Sequence, residues 1–442
     1  MQAERLNLLK KASFERDVRL FMHLLYPLQR ERESVKTSQA TIPVWRATLS
    51  LIKHFFGTLT GSSFHVFDLG KMEKACVLML SDTQNQTRPL EPIHQALQKT
   101  NTSVVWIREK RVYKYASVFE QTKIFIIALR NICRHRFLRR PGFHGPAKLY
   151  IFLCESQHYR NVMELNRPAS VMVSNDHNSS MMALQYAASQ TLVPVDYVQH
   201  AHVTLNFPEP RYFRYVFTDG EMASRTYSDL LPSDCSTLIC SIGPVRFEQD
   251  YLTVIESRIR NKKTCVALAF DYDCSIMSEL SVKNLTKAKV EDLNVRFHPR
   301  TSRSLKAEVI STLNATGVSI KVFDEPSPRE FLQDSRLIFC GDSSVILDAA
   351  LFGCIPICIS TQRTDYYGFL RHGLAYHAEF FPHDLSEYIQ DISSDIRTKA
   401  LAKYVSAPFL SGAQPYSSER IVKTIVQGNK KNECKVLDID ED

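Results

Sequence analysis

Residues 336–360 have the sequence RLIFCGDSSVILDAALFGCIPICIS. The apolar run Arg336–Cys340 predicts a buried strand, a small polar turn follows, and the apolar residues of Ser344–Phe352 predict a helix. A second apolar run, Ile355–Ser360, predicts the next strand. This order of strand, helix and strand is typical of a parallel sheet with helices on both faces.

The same alternation extends through most of the chain. In the second half it predicts three further strands, Thr264–Phe270, Leu293–Phe297 and Ser319–Phe323. In the first half it predicts seven strands, which are Ala75–Leu80, Ser103–Ile107, Lys148–Cys154, Ser170–Ser174, Pro194–Gln199, Tyr212–Thr218 and Thr237–Ile242. The predicted fold is therefore α/β, with two Rossmann-like domains that face each other across a cleft.

These patterns divide the chain into five parts. They are an N-terminal helical extension (1–64), a first Rossmann-like domain (65–245), a linker (246–261), a second Rossmann-like domain (262–428) and a charged tail (429–442). Doubly wound domains bind ligands at the carboxyl ends of their strands. We therefore expect the chemistry in the cleft between the two domains.

The composition is that of an ordinary globular protein. The 442 residues are 44% hydrophobic and 23% charged, which excludes collagen-like, disordered and disulfide-scaffold proteins. Eleven scattered cysteines lack the CxxC spacing of a metal site even in the close pairs Cys235/Cys240 and Cys354/Cys358. The N-terminus has no secretory-signal core, and no apolar stretch approaches the ~20 residues that span a bilayer. We expect a cytoplasmic protein that is not integral to a membrane.

The net charge of +8 is unevenly distributed. Residues 104–148 hold eleven Lys and Arg against two acids, and Arg136 and Arg139 lie in the densest part. This segment is either a solvated helix end or a site for an anionic polymer or the phospholipid headgroups of the inner membrane face. The stretch Pro43–Phe56 predicts a helix that either caps the first domain or lies on an anionic membrane. No nucleic-acid module accompanies the basic segment, so nucleic acid is not an expected partner.

The first candidate binding motif follows the predicted strand Leu293–Phe297. Here Pro299 stops the hydrogen bonding of the strand and holds His298 in an extended conformation. The imidazole then lies at the edge of the sheet, where it can donate to a phosphate, and the guanidinium fork of Arg300 suits phosphate oxygens. The alternative is a turn histidine beside a surface arginine.

The second candidate motif is the pair Ser343 and Ser344, between a predicted strand and a predicted helix. The first turn of a helix offers unbonded N–H groups, and two hydroxyls beside them predict an anion site. A simple N-cap is the alternative for either serine. Asp348 lies one turn into the helix and faces either the same site or solvent.

Together these motifs resemble those of GT-B type transferases that build bacterial surface polysaccharides. The pairs His298-Pro299 and Ser343-Ser344 are similar to the HP and serine motifs of bacterial sialyltransferases and polysialyltransferases. The stretch Asp342–Asp348 resembles one in CDP-glycerol glycerophosphotransferases, and capsule Kdo transferases share a similar architecture. The resemblance covers roughly residues 170–360. It implies that the second domain binds a nucleotide-activated donor, often a cytidine nucleotide, with His298, Ser343 and Ser344 on its phosphates. Arg300 and Asp348 are further candidates for donor binding, with Asp348 facing either a ribose hydroxyl or solvent.

The first domain supplies the other wall of the cleft. One predicted strand ends at Asp176 and His177, and the next ends at Gln199-His200, a pair similar to the Q-H-G of polysaccharide transferases with Ala201 in place of the glycine. An inverting transfer needs a base to take the proton of the acceptor hydroxyl. Asp176, His200 and His177 are the candidates, and a carboxylate beside a histidine can also orient it.

A third strand of the first domain ends at Asp219-Gly-Glu221, which resembles an acidic sialyltransferase motif in altered order. We expect Asp219 and Glu221 on the acceptor side, together with Arg136 and Arg139. The resemblance implies an inverting, metal-independent transfer from a nucleotide sugar, with a CMP-sugar favoured. The acceptor would be a hydroxyl of a cell-surface polysaccharide or glycolipid, and no cofactor is required.

Other functions remain open on the same residues. A CDP-glycerol-type glycerophosphotransferase, a nucleotide-sugar 2-epimerase and a non-catalytic nucleotide-binding scaffold all suit two Rossmann-like domains. The pair Asp271-Tyr-Asp273 is similar to the metal-binding D-x-D of another glycosyltransferase fold, but it opens the second domain. We therefore interpret it as a turn that faces the cleft.

Overall fold

The structure is a computed structural model of the chain. It describes residues 43–59, 65–67, 76–108, 110–112, 118–134, 145–176, 178–205, 207–251, 254, 256, 266–271, 273–277, 282–324, 329–361, 365–390, 394–411 and 416–437. The first 42 residues of the predicted helical extension and part of the predicted linker lie outside these ranges. None of the described helices is long and apolar enough to cross a membrane.

The first half of the chain forms a parallel sheet and a separate strand pair. The strands of this half are β1 (His65–Phe67), β2 (Val77–Leu80), β3 (Val104–Ile107), β4 (Lys110–Val112), β5 (Ser170–Val173), β6 (Val195–Val198), β7 (Tyr215–Thr218) and β8 (Leu238–Ser241). Among the described residues, six of them form the sheet in the order β3-β2-β5-β6-β7-β8, and all neighbours are parallel. Strands β1 and β4, which the sequence did not predict, pair antiparallel.

Helices cover both faces of this sheet. They are α1 (Val44–Leu59), α2 (Gln84–Gln98), α3 (Val118–Arg134), α4 (Gly145–Asn166), α5 (Ser179–Gln190) and α6 (Glu221–Leu230). Helix α1 confirms the helix predicted over Pro43–Phe56. The strand predicted over Lys148–Cys154 is wrong, because these residues lie in α4. Almost every residue from Leu149 to Cys154 is buried, so the run lacks the polar face that reveals a helix.

The second half of the chain repeats this architecture. Its strands are β9 (Val266–Ala269), β10 (Asp292–Arg296), β11 (Ser319–Val322), β12 (Leu337–Cys340), β13 (Ile355–Ile359) and β14 (Tyr376–Ala378). Its helices are α7 (Val282–Lys287), α8 (Arg303–Asn314), α9 (Arg329–Asp334), α10 (Val345–Leu351), α11 (Ser386–Gln390), α12 (Ser394–Tyr404), α13 (Ala407–Ser411) and α14 (Ser417–Leu437). The six described strands are parallel, in the order β11-β10-β9-β12-β13-β14. The predicted α/β fold with two Rossmann-like domains is confirmed.

Burial on both faces explains the apolar runs that predicted these strands. In β2, Leu78 and Leu80 belong to one core cluster, whereas Val77 and Met79 belong to the cluster on the opposite face. Because successive side chains of a strand point to opposite faces, a strand covered on both sides is apolar at every position. The carboxyl end of such a strand is the first place where a polar side chain can lie.

Helix α14 connects the two domains. The predicted second domain extends to residue 428, yet Ile421, Val422 and Ile425 pack in a core cluster with residues of β2 and β7 in the first sheet. In the middle of this helix Asn429 accepts a hydrogen bond of 2.6 Å from Arg214 of the first domain. The C-terminal helix therefore returns the chain from the second domain and packs on the first.

Candidate functional site

The carboxyl ends of the two sheets face each other. Thr204, in the loop after β6, donates from Oγ1 to the hydroxyl of Tyr366 (3.0 Å). The backbone N–H of Tyr366 donates to Asp342 Oδ2 (2.5 Å) in the loop after β12. After α12, the backbone N–H of Ser406 donates to the carbonyl of Asp219 (2.8 Å) at the end of β7. Loops that follow strands of both domains thus meet in one interdomain cleft.

A histidine of the first domain inserts into an aromatic cluster of the second. The ring centroid of His202 lies 5.7 Å from that of Tyr367, 5.4 Å from that of Phe369 and 5.2 Å from that of Tyr404. Burial, with the charge of Arg246 as the second cause, lowers the pKa of His202 to about 3. His202 is therefore a neutral packing residue of the domain interface at physiological pH.

Gly220 marks a close approach of the two backbones. A Cβ at this position would overlap the backbone carbonyl of Tyr404, at the end of α12. The φ of −171° is extended and suits any residue. A glycine is needed here because there is no room for a Cβ atom. The predicted acidic motif Asp219-Gly-Glu221 therefore contains a structural contact between domains.

An arginine after β8 joins acids from both domains. Arg246 lies in a 3₁₀ turn, Val245–Phe247, and its Nη1 donates to Asp219. Its Nη2 donates to Asp348 Oδ1 on α10 (3.1 Å). Burial opposes the charge of Arg246, but the two carboxylates outweigh it and hold the pKa of the guanidinium above its ordinary value. Asp219 and Asp348, which the sequence placed on the acceptor and donor sides, thus share one cation.

Two more arginines bring positive charge to the same place. Arg88 comes from α2 of the first domain and Arg296 ends β10 of the second. Burial lowers the pKa of both side chains, and in Arg296 the charge of Arg88 is the second cause. Asp348, Asp250 and Arg246 also act on Arg88. Arg88 of the first domain and Arg296 of the second therefore lie near enough for their charges to interact, and neighbouring guanidinium groups suit a phosphate or carboxylate ligand.

The structure brings the two predicted donor motifs to one edge of the second sheet. His298 follows β10 and Ser343 follows β12, with β9 between these two strands. At the usual spacing of neighbouring strands, the two motifs are about 10 Å apart. Both side chains are half-buried and so have solvent access. A diphosphate or nucleotide could contact both.

Local hydrogen bonds determine the tautomer of His298. The backbone N–H of Arg300 donates to His298 Nδ1 (3.1 Å), so in the neutral ring Nε2 carries the hydrogen. Burial, followed by the charge of Arg300, lowers the pKa of His298 below its ordinary value, although Asp271 opposes the shift. At pH 7 His298 is thus a neutral ring whose Nε2–H can donate to an anion.

Asp271 shapes the turn between the two donor motifs. Its Oδ1 accepts from the backbone N–H of Ser275 (2.9 Å) and its Oδ2 accepts from the Ser275 hydroxyl (2.6 Å), which caps the 3₁₀ turn Ser275–Met277. Thr301 Oγ1 donates to the Asp271 carbonyl (3.3 Å) and links this loop to the one that holds His298. Asp271 therefore acts as a turn residue. Among the described residues, no group of His, Cys, Asp or Glu has an arrangement that could hold a metal ion.

The two serines differ in their contacts. The Val345 N–H donates to Ser343 Oγ at 3.4 Å, a long capping bond. Ser344 is the N-cap residue of α10, but its side chain makes no capping hydrogen bond. Both residues are half-buried. The N-cap interpretation thus fits Ser343 in part, whereas the hydroxyl of Ser344 is not used by the helix.

The candidate bases lie in different environments. Asp176, after β5, is 3% exposed, and the hydroxyl of Tyr227 donates to its Oδ2 (2.6 Å). His200 is half-buried in the loop after β6. Gln199, beside it, holds this loop by donating to the carbonyl of Ala201 (3.0 Å) and accepting from the backbone N–H of Asp219 (2.9 Å). His200 is therefore nearer to solvent than Asp176.

The remaining predicted acceptor residues are not brought into the cleft cluster. Glu221 is exposed at the start of α6 and pairs with Arg225 one turn later. His177, Arg136 and Arg139 lie outside the described residues.

Sequence reasoning missed Arg88 and Arg246. Arg246 follows Gly243-Pro244, a break where the chain leaves the first sheet and must approach the second domain. That position was the only local signal for Arg246. Arg88 precedes Pro89 within α2, and nothing in this local pattern indicates that it faces the other domain.

Known proteins resemble this chain in structure and not in sequence. No protein-family model and no curated protein matches it. The UDP-GlcNAc 2-epimerase from Neisseria meningitidis bound to UDP-GlcNAc is 15% identical, with 79% of this chain and 99% of that chain covered and a TM-score of 0.50. A proposed UDP-N-acetylglucosamine 2-epimerase from Listeria monocytogenes is 14% identical, with 81% and 97% covered and a TM-score of 0.52.

The chain has the GT-B fold. The wall teichoic acid polymerase TagF is also similar, at 11% identity, with 88% of this chain and 98% of that chain covered and a TM-score of 0.45. At these identities the likeness concerns the fold. The structures similar to this chain include nucleotide-sugar enzymes. This finding agrees with the GT-B architecture that the sequence motifs implied.

Proposed function

We propose that this protein is a glycosyltransferase that moves a sugar from a nucleotide-activated donor to a hydroxyl of a glycan. The observation that carries the proposal is the neutral His298, whose Nε2–H lies at the same sheet edge as Ser343 and Ser344. Hydrogen-bond donors fixed in advance stabilise the charge that develops on a departing phosphate. Arg88 and Arg296 add positive charge beside this edge.

In this reaction the bond between the anomeric carbon and the phosphate oxygen breaks, and a bond from the acceptor oxygen to that carbon forms. The electron pair of the broken bond leaves with the nucleotide, whose phosphate accepts from His298 and Ser344. The acceptor proton goes to a base of the first domain. We favour His200 over Asp176, since Asp176 is nearly inaccessible and already accepts a hydrogen bond from Tyr227.

The finer identity of the substrates rests on the motif resemblance alone. It favours a CMP-sugar as donor and a cell-surface polysaccharide or glycolipid as acceptor, without a metal or another cofactor. A CDP-glycerol donor would suit the same His298 and Ser344 contacts, because these contacts concern the phosphates.

The comparisons favour one second candidate, a nucleotide-sugar 2-epimerase. The two epimerase structures compared above, with TM-scores of 0.50 and 0.52, carry that description. An epimerase would convert the nucleotide sugar with no acceptor present, whereas a transferase releases the nucleotide only when it finds an acceptor hydroxyl.

The first test is nucleotide binding by thermal shift and calorimetry with CMP, CDP, UDP and GDP. A ligand that binds only the native state raises the melting temperature. We expect His298→Ala to weaken the preferred nucleotide at least about tenfold, since a hydrogen bond to a charged group contributes about 1.5–3 kcal/mol. His383→Ala, at an exposed histidine of the same domain, is the matched control and should bind normally.

The second test is product analysis with CMP-, UDP- and GDP-sugars and CDP-glycerol, with and without oligosaccharide acceptors. Transfer product that depends on acceptor supports the proposal, and an epimerised nucleotide sugar without acceptor supports the second candidate. If no nucleotide binds, or if His298→Ala binds nucleotide as the wild type does, the proposed site is wrong.

A further inference from the structure

Helix α1 carries a stripe of large apolar side chains on its outer face. Trp45, Leu49 and Phe56 are each more than half exposed. Their spacing of four and seven residues places them on one side of the helix. Ala47 and Leu51 are fully buried on the opposite side, so the helix is already docked on the first domain and the exposed stripe is additional.

Helix α3 has the same organisation. Val118, Phe119 and Ile126 are each more than half exposed, while Ile124 and Ala128 are buried in the core of the first domain. Single exposed apolar residues are ordinary on protein surfaces. Three on each of two helices that pack together exceed this scatter, and a large exposed apolar patch marks an interaction site.

The two stripes belong to one surface. Helices α1, α3 and α4 pack together, and Phe55 of α1 contacts Phe125 of α3 with ring centroids 4.8 Å apart. Both helices turn their buried faces to the same core cluster. Their outer faces therefore lie side by side, and we name them the α1–α3 surface.

The charge of the α1–α3 surface is almost entirely positive. It bears five exposed basic residues, Arg46, Lys53, Lys123, Arg130 and Arg134. In sequence, Glu120 is the only acid of the two helices. The charges lie among the apolar groups, since the Arg46 guanidinium is 5.1 Å from the Trp45 ring centroid and the Lys123 ammonium is 4.2 Å from that of Phe119.

We propose that the α1–α3 surface docks the protein on an anionic lipid bilayer. Large apolar and aromatic side chains mixed with Lys and Arg suit the boundary between headgroups and acyl chains, where the rings insert and the cations meet lipid phosphates. Each basic residue near an anionic surface adds about 1 kcal/mol of attraction. The proposal concerns a surface of the first domain and stands independently of the proposed reaction.

Charge argues against the two other occupants that the chain itself offers. Residues 1–42 hold eight Lys and Arg against five Asp and Glu, so this segment brings positive charge to a positive surface. A second copy docked through the same surface would bring five further exposed cations. Of these three occupants, only an anionic bilayer supplies both a compensating charge and an apolar layer.

The experiment uses Trp45 as a reporter in the full chain. The protein has two tryptophans, so Trp106→Phe leaves Trp45 as the only source of indole fluorescence. Vesicles of phosphatidylcholine with about one third phosphatidylglycerol are compared with vesicles of phosphatidylcholine alone. We expect cosedimentation with the anionic vesicles, a shift of Trp45 emission to shorter wavelength, and quenching by brominated lipid.

Two double variants separate the charged and the apolar contributions. Lys53→Glu with Lys123→Glu should weaken binding to anionic vesicles at least about 25-fold, at about fivefold for each lost charge. Leu49→Ser with Phe119→Ser should weaken it at least about tenfold. The matched control combines Leu192→Ser, at a leucine that is 90% exposed, with Lys287→Glu in the second domain, and should bind normally.

Three results would overturn the proposal. Equal binding to both kinds of vesicle would show that charge does not contribute. No binding to either would show that the α1–α3 surface does not dock on a bilayer. Protection of Trp45 from acrylamide in the vesicle-free protein would mean that another segment or a second copy already covers the surface. Sedimentation velocity of the vesicle-free protein then identifies which of the two does so.

Discussion

Replacement of His202 by phenylalanine should change how stability depends on pH. In the native state His202 stays neutral down to its pKa of about 3, whereas in the unfolded chain it takes up a proton near its ordinary pKa of 6.5. Between pH 7 and pH 5 the unfolded state therefore binds a proton that the native state does not. The wild type loses about 2 kcal/mol of stability to this one group over that range.

Phenylalanine does not titrate, so the His202→Phe variant does not lose stability in this way as the pH falls. At pH 7 a phenyl ring in place of a neutral imidazole should change stability by less than about 1.5 kcal/mol, because the cage of Tyr367, Phe369 and Tyr404 is aromatic. At pH 5 the variant should gain about 2 kcal/mol relative to the wild type. Differential scanning calorimetry should resolve this as a relative rise of about 4–8 °C for a domain of this size.

The matched control for this experiment is Tyr404→Phe. It alters the same cage by removing a hydroxyl that donates to the Tyr367 carbonyl (3.3 Å), and it leaves the imidazole in place. Its melting temperature should follow that of the wild type in parallel from pH 7 to pH 5. If the His202→Phe curve is parallel as well, His202 is protonated or solvated in the native protein and our account of the interface is incorrect.

Three further substitutions test the domain contacts. Gly220→Ala should separate the domains, because its Cβ overlaps the Tyr404 carbonyl, and small-angle scattering should then report a larger radius of gyration than for the wild type. Arg246→Met should lower the free energy of unfolding by about 3–5 kcal/mol, because it leaves two carboxylates without their buried cation. Arg225→Met, at an exposed pair, should lower it by only about 0.3–0.5 kcal/mol. Equal losses for the two variants in urea titrations would refute the buried ion pairs of Arg246. Thr204→Val should cost about 1 kcal/mol of stability through one lost hydrogen bond, and an unchanged melting curve would contradict that contact between domains.

The fold was largely predictable from the sequence because its signal is local. Strands such as Leu337–Cys340 are buried on both faces, so each one appears as a short apolar run. The two errors have different causes. Lys148–Cys154 is equally apolar because its helix is buried on nearly all sides, and an apolar run alone does not distinguish a buried helix from a buried strand. Strand β14 was not predicted because its three residues are only half-buried and form no apolar run.

The candidate site was predictable in part. His298, Ser343 and Ser344 were found because they follow strands, and the ends of parallel strands share an edge of the sheet. Arg88 could not be found in this way. Its importance comes from Arg296 and Asp348, which are more than two hundred residues distant in the sequence and belong to the other domain.

The sequence by itself determined the two parallel sheets and the polar residues at their carboxyl ends, since both follow from hydrophobic patterns within a few residues. Only the tertiary structure decided that Asp219 and Asp348 share Arg246 and that His202 is neutral inside a cage from the other domain. The physical reason is that ion pairing and burial depend on distance through space. The pairing of Arg246 with Asp348 spans 102 positions of the chain, and no local pattern encodes it.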